Sequence, residues 1–257
     1  MDLIIQNWII LLSLSFFVWL YSLIKKDVSI VDICWSLFFL VSLIFYLANG
    51  APWTTKHWLV FILVITWSLR LSIYLFFRNR HKAEDRRYTA MRKNSPQFEF
   101  ISLFKVFFLQ ATLATIIGSP LYIIANAQNS SVVDVLALLV VIFGLVFEIV
   151  ADEQLRRFKS QPENQGKVLN KGLWATTRHP NYFGEAVVWW GIFLFAVTLP
   201  YGIFAALGPA LLTFFLLKVS GVSMLEKDQK QRKPEYQSYI DSTPAFIPDL
   251  TKLKIQS

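Results

Sequence analysis

Asn181, Glu185 and Trp189 stand four residues apart, directly after the string Arg178-His179-Pro180. Proline suits the first turn of a helix, where its missing N–H has no partner to lose. A helix entered at Pro180 therefore carries an amide, a carboxylate and an indole along one face. Arg178 and His179 stand at its entrance, with Trp174 and Tyr182 on either side. These types suit a polar, anionic ligand, with the cations facing its charge and Trp189 forming a pocket wall. Glu148, Asp152 and Arg156 form a second ladder at i, i+4 and i+8. That spacing is also the ordinary form of an intrahelical salt-bridge row. Glu148 and Asp152 lie deep in an apolar stretch, however, where acceptors for a ribose or an amide are the sharper reading. His57, His81 and His179 are far apart and Cys34 is alone, so no metal site is expected.

The elements that must position these groups are membrane helices. Of 257 residues, 55% are hydrophobic and only 16% charged, where a soluble domain carries about 25% charged residues. Crossing the hydrocarbon core takes about 20 apolar residues. Seven runs qualify: residues 4–24, 30–47, 58–77, 100–124, 132–150, 182–199 and 203–219. The first has no basic n-region and no small-residue cleavage pattern, so it reads as a retained helix. The net charge of +8 sits in alternate loops. Residues 25–26, 78–93 and 156–178 and the tail from Lys218 are basic, while residues 126–131 and 199–202 carry no charge. By the positive-inside rule the N-terminus faces out and the C-terminus faces the cytosol. A nucleic-acid role is excluded, because the basic residues are separated by apolar runs.

The expected fold is thus an all-α integral membrane protein with seven spans. It forms a single domain over residues 1–257, with the ligand-binding elements in 70–93 and 148–248. Ionisable residues inside the runs usually face a cavity or one another. Asp32, Arg70, Glu148, Asp152 and Glu185 all fall in the cytosolic halves, which predicts a polar pocket open to the cytosol. The loop from Arg78, Asn79 and Arg80 to Glu84-Asp85-Arg86-Arg87-Tyr88 mixes both signs of charge. It reads either as a positive-inside anchor with solvated acids, or as an anion clamp whose acids hold the guanidinium groups in place. Cys34 reads as an inert small core residue.

Residues 173–185, the Glu84–Tyr88 loop and the Asp152…Leu155-Arg156 helix exit resemble a bacterial steroid 5α-reductase. More broadly they resemble the membrane-embedded NADPH-dependent steroid and sterol reductases and the DUF1295-like membrane reductases. Residues 29–35 and the ending Tyr236…Tyr239…Ala245-Phe-Ile-Pro248 fit as well, so the likeness covers most of the chain. It implies NADPH inserted from the cytosolic side and hydride transfer to the β-carbon of an enone, such as the Δ4 bond of a 3-oxo-steroid. A carboxyl or phenol would hydrogen-bond the ketone oxygen.

Carried over by position, Asn181, Glu185, Trp189, Asp152 and Arg156 would line the cofactor, with Arg178, His179 and Tyr182 at the pocket mouth. Arg78, Asn79, Arg80, Arg87, Tyr88, Glu148, Arg157 and Trp174 complete the expected cofactor set. Arg70 matches an arginine near the reacting centre and Tyr74 a tyrosine one turn on. Two positions depart from the family. The Gln-Glu pair of animal enzymes is reduced to Asp32, and a phenol before the arginine is replaced by Trp67. Asp32 is therefore the first candidate for polarising the ketone and Tyr74 the second. The partners implied are a steroid-like lipid enone and membrane lipids, for a monomer in a bacterial inner membrane. The Arg-His-Pro-x-Tyr string also occurs in S-adenosylmethionine-dependent membrane methyltransferases, which are the rival class. A non-catalytic sterol-binding scaffold is a third reading, disfavoured by the deep acids.

Overall fold

The structure, a computed structural model, describes residues 2–219, 222–233 and 235–253, and all of its regular elements are helical. In chain order they are α1 (Leu3–Lys25), α2 (Ile30–Asn49), α3 (Thr55–Asn79), the short α4 (Arg86–Lys93), α5 (Phe98–Ile117), α6 (Val133–Ser160), α7 (Pro180–Val197), α8 (Gly202–Val219), α9 (Val222–Arg232) and α10 (Tyr236–Ser242). Six of these, α1, α2, α3, α5, α6 and α8, are long and apolar enough to cross a bilayer. The chain is a multi-pass helical membrane protein.

The run expected at residues 182–199 forms α7 but is not among those six. It is 18 residues long, and Asn181 and Glu185 in its first turns lower its apolar character. The residues expected to do chemistry are what weaken it as a span. The run expected at 100–124 is interrupted. α5 stops at Ile117, and a short helix over Ser119–Ile124 restarts with Pro120 in its first turn, as a proline requires. Within α5, residues Leu103–Phe108 form a π-helical stretch.

The chain divides into two compact units, Met1–Asp134 with Phe195–Gly208, and Val135–Leu194 with Pro209–Ser257. In the first, α2 and α3 pack through an aromatic core. Trp35 meets Phe39 edge-on at 5.0 Å, and Phe39 meets Trp67 at 5.7 Å. α3 opens with a reciprocal cap, in which the Thr54 N–H donates to His57 Nδ1 at 2.9 Å. That leaves the proton on Nε2, which donates to the Ile124 carbonyl at 2.9 Å. Beside it Lys56, fully buried, lies 3.2 Å from Asp134 and donates to the Phe195 carbonyl at 3.1 Å. Read from sequence, Lys56 is a loop residue. Inside the fold it is half of a buried ion pair, which survives because each charge has a partner.

In the second unit, α6 and α7 pack backbone to backbone along a line of glycines. A Cβ at Gly144 would fall 2.7 Å from the Val188 nitrogen, and one at Gly184 2.7 Å from the Glu148 nitrogen. One at Gly191 would fall 2.6 Å from Val141 Cγ2. Small residues permit this approach where lipid supplies no hydrophobic drive between helices. Its consequence is positional, because Gly184 precedes Glu185 and sits against Glu148.

Candidate functional site

The glycine seam brings the two polar ladders of the second unit together. Asn181 Nδ2 donates to Asp152 Oδ1 at 3.3 Å, joining the first turn of α7 to the far part of α6. Glu148, Asp152 and Glu185 are all buried, and Trp189 is fully enclosed. The i+4 spacing puts Asn181, Glu185 and Trp189 on one face, and the seam sets the first of them against Asp152. The result is a compact set of buried acceptors with an indole behind it. Trp174 stands nearby, its Nε1–H donating to the Ala151 carbonyl at 3.0 Å.

Arg178 and His179 do something more specific than line a mouth. Arg178 Nε donates to Glu226 Oε1 at 2.7 Å, and Nη1 donates to the carbonyls of Ile240 (3.0 Å) and Thr243. His179 Nε2 lies 3.1 Å from the same Glu226 oxygen, and its ring stacks on Tyr182 with centroids 5.7 Å apart. The backbone completes the tie. The Arg178 N–H donates to Pro244 O, the Asp249 N–H to Thr176 O, and the Thr177 hydroxyl to Phe246 O. Tyr239 donates its hydroxyl to the Trp174 carbonyl. The Arg-His-Pro string thus laces the segment after α10 onto the entrance of α7. Burial alone would raise the Glu226 carboxyl, but hydrogen bonds and charge from His179 and Arg178 outweigh it and hold it down at about 2.

Arg156 and Arg157 are at the exposed end of α6, their side chains 60% and 74% accessible. Arg156 forks onto Glu153 through Nε and Nη2, each at 2.7 Å, while Arg157 uses Nε at 2.6 Å. Their guanidinium groups face solvent, whereas Arg178 is turned inward.

The first unit holds a separate polar cluster. Asp32 Oδ2 accepts from Arg87 Nη2 at 2.6 Å, and Oδ1 accepts from the Tyr88 hydroxyl at 2.8 Å. Gln110 Nε2 approaches both Asp32 Oδ1 and Tyr88 at 3.4 Å. Asp85 caps α4, accepting from the Arg87 N–H at 2.9 Å and from its Nε at 3.0 Å. Glu84 accepts from the Val28 N–H at 3.0 Å and from Arg92 Nη2 at 2.9 Å. The Glu84–Tyr88 loop therefore ties α4 to the start of α2. Burial first, and then the Asp32 carboxylate, holds the Tyr88 phenol well above its ordinary value, so it remains a donor at any working pH.

Of the residues expected near the reaction, Arg70 and Tyr74 lie together on α3. Their cation–π distance is 5.7 Å, and Arg78 stacks at 5.5 Å on the same Tyr74 ring. Arg80 stacks on Phe77 at 5.0 Å, and Asn79 accepts from Arg78 Nε at 3.2 Å. These side chains belong to the first unit with Asp32, and the expected cofactor residues from Glu148 to Trp189 belong to the second.

A family model described as "Protein of unknown function (DUF1295)" matches residues 18–243. The chain belongs to the DUF1295 family. It is also 28% identical, over 267 aligned residues, to an uncharacterised protein of the fission yeast Schizosaccharomyces pombe, covering 90% of this chain and 76% of the relative. No solved structure matches the chain. The matched region takes in both polar clusters and stops at Thr243, a carbonyl that Arg178 holds.

Sequence reasoning passed over Glu226, Gln110 and the pairing of Lys56 with Asp134. Glu226 carried one usable signal. It is an acid in the middle of a helix whose remaining charges are mostly basic. Nothing local pointed to its partners 47 and 48 residues away.

Proposed function

We propose that this protein is a membrane reductase using NADPH on the C=C bond of a lipid enone, with a 3-oxo-Δ4-steroid as the substrate class. The observation that carries the reading is the buried acceptor set on α6 and α7. Ionisable side chains within membrane helices are costly and mark ligand or substrate sites by default. Three buried acids gathered beside a glycine-tightened seam support a ligand site there. In chemistry the set fits a dinucleotide: Glu148, Asp152 and Glu185 can accept from ribose hydroxyls and a carboxamide, and Trp189 offers an aromatic wall. The phosphates call for cations, which Arg156 and Arg157 present to solvent. Arg178, by contrast, is committed to Glu226 and two carbonyls. When bound, NADPH supplies the hydride for the β-carbon of the enone.

In this reading α7 is the seventh span, the N-terminus faces out, and the acceptor set opens toward the cytosolic side, as the basic loops predict. Ketone polarisation stays with the Asp32 cluster. Both Asp32 oxygens accept, so Asp32 acts by holding Arg87 and Tyr88 in place rather than by donating a proton itself. Tyr74 is the second candidate. The monomer and the bacterial inner membrane remain part of the proposal.

The test is a titration of detergent-solubilised protein with NADPH, NADH and S-adenosylmethionine. NADPH should bind at least tenfold tighter than NADH, since bidentate arginine contacts to a 2′-phosphate are among the strong hydrogen bonds. Replacing both Arg156 and Arg157 by Ala should erase that preference. Equal affinity for the two nucleotides refutes the cofactor assignment. Tight S-adenosylmethionine binding without any nucleotide binding makes the protein a methyltransferase.

A further inference from the structure

We propose that the segment from Phe246 to Leu253 is a membrane-interface anchor, seated in the lipid headgroup–acyl boundary at the Asp152 end of α6. Three large apolar side chains, Ile247, Leu250 and Leu253, stand 75%, 61% and 42% exposed at three-residue spacing. They belong to none of the membrane-crossing helices. They ride on a segment that ends in a 3-10 turn over Leu250–Lys252. This backbone is firmly held. The Asp249 N–H donates to Thr176 O at 2.9 Å and the Thr177 hydroxyl to Phe246 O at 3.0 Å. Asp249 Oδ1 accepts from the Thr251 hydroxyl at 2.6 Å. The apolar side chains are presented by a fixed scaffold.

What covers them follows from a path of ring contacts within the same unit. Phe143, 52% exposed on α6, meets Phe147 at 5.6 Å. Phe147 meets Phe183 at 5.3 Å, and Phe183 meets Phe246 at 5.8 Å. On α6 Phe143 shares an exposed apolar surface with Leu139, Ile142 and Val146, which in a membrane helix is the lipid face. The anchor is thus joined, through the buried ring of Phe147, to a helix whose outer face lipid covers.

Depth can be placed by the helix rise. At 1.5 Å per residue, Phe147 lies about 21 Å along the axis from Val133. A hydrocarbon core about 30 Å thick entered at Val133 ends near Asp152. Phe147 is therefore about one and a half turns inside that border, and Phe246 lies two ring contacts from Phe147. Ile247, Leu250 and Leu253 then fall at the boundary, where amphipathic segments lie in the plane of the interface. Lys252 is exposed among them and Lys254 follows in the sequence, suited to anionic headgroups. A protein partner fits less well, because three side chains are far short of the roughly 1,000 Å² that a specific interface needs.

The proposal is independent of the reductase reading, and its test does not measure activity. In a Cys34→Ser background, Leu250→Cys and Ile247→Cys proteins are each labelled with an environment-sensitive fluorophore and reconstituted in nanodiscs of phosphatidylcholine and phosphatidylglycerol. Gln237→Cys, on the exposed side of α10, is the aqueous reference. Both anchor positions should show blue-shifted emission, several-fold weaker quenching by iodide than at residue 237, and quenching by shallow spin-labelled lipids. The two positions are read independently, so a failure of one variant to reconstitute leaves the other as the test. Iodide quenching equal to that at residue 237 overturns the proposal. So does protection that vanishes as the lipid-to-protein ratio is raised, since a second copy would then be the cover.

Discussion

Gly184→Ala probes the seam that assembles the acceptor set. A Cβ at this position would lie 2.7 Å from the Glu148 nitrogen, 2.8 Å from its Cβ and 2.9 Å from its Cα. These are atoms of a rigid helix, not the tip of a side chain that can swing aside. Restoring an ordinary contact of about 3.5 Å requires α6 and α7 to separate by about 0.8 Å. Overpacking of this kind costs about 1–3 kcal/mol, and the better helix propensity of alanine returns up to about 1 kcal/mol. The net expectation is a destabilisation of about 1–2 kcal/mol, seen as a fall in Tm of about 2–8 °C. The separation also stretches the 3.3 Å contact between Asn181 and Asp152, so nucleotide affinity should fall together with stability. The assay is thermal unfolding in lipid nanodiscs followed by nucleotide titration of the same preparation. Val150→Ala, on the exposed side of α6, is the control and should change stability by less than about 0.5 kcal/mol. Gly184→Ala protein as stable as wild type, with unchanged nucleotide affinity, would refute the reasoning, because the helices would then have room to spare.

Two further outcomes follow from the ion pairs. The Glu226 carboxyl sits at about 2, below its ordinary 4.5, so its contribution is complete above about pH 4.5 and is lost as pH falls toward 2. After allowance for solvent screening it amounts to about 1–2 kcal/mol. Protection of residues 240–249 relative to the intrinsic amide exchange rate should fall between pH 4.5 and 3 in wild type, whereas in Glu226→Gln it should be low at every pH. A segment equally protected in both proteins would show that the tie does not depend on Glu226. Asp32→Asn and Tyr88→Phe act on one network and should each destabilise by about 1–2 kcal/mol, given partners a fifth to a third exposed. Their double variant should fall short of the sum by at least about 0.5 kcal/mol, and strict additivity in a thermal-unfolding cycle would count against the shared cluster.

The sequence by itself determined the class of the molecule. Apolar runs of about 20 residues have few alternatives to membrane helices, and six of the seven expected runs are such helices. It also determined faces. Four-residue spacing put Asn181, Glu185 and Trp189 in line, and Glu148 in line with Asp152, because the helical period is local. It did not determine what those faces meet. Periodicity names a side of a helix but not the partner across from it. Arg178 reads from sequence as a group at the pocket mouth, and only the packed chain shows its guanidinium closed on Glu226 and the carbonyls of Ile240 and Thr243. The Glu84–Tyr88 loop likewise reads as an anchor or a clamp, and nothing local shows that Arg87 and Tyr88 reach back 55 and 56 residues to Asp32. The glycines of α6 and α7 were legible as residues, but their pairing needed the packed helices. Only tertiary structure could decide these points, because each depends on charges and backbones that are distant in the chain meeting where little water competes for them.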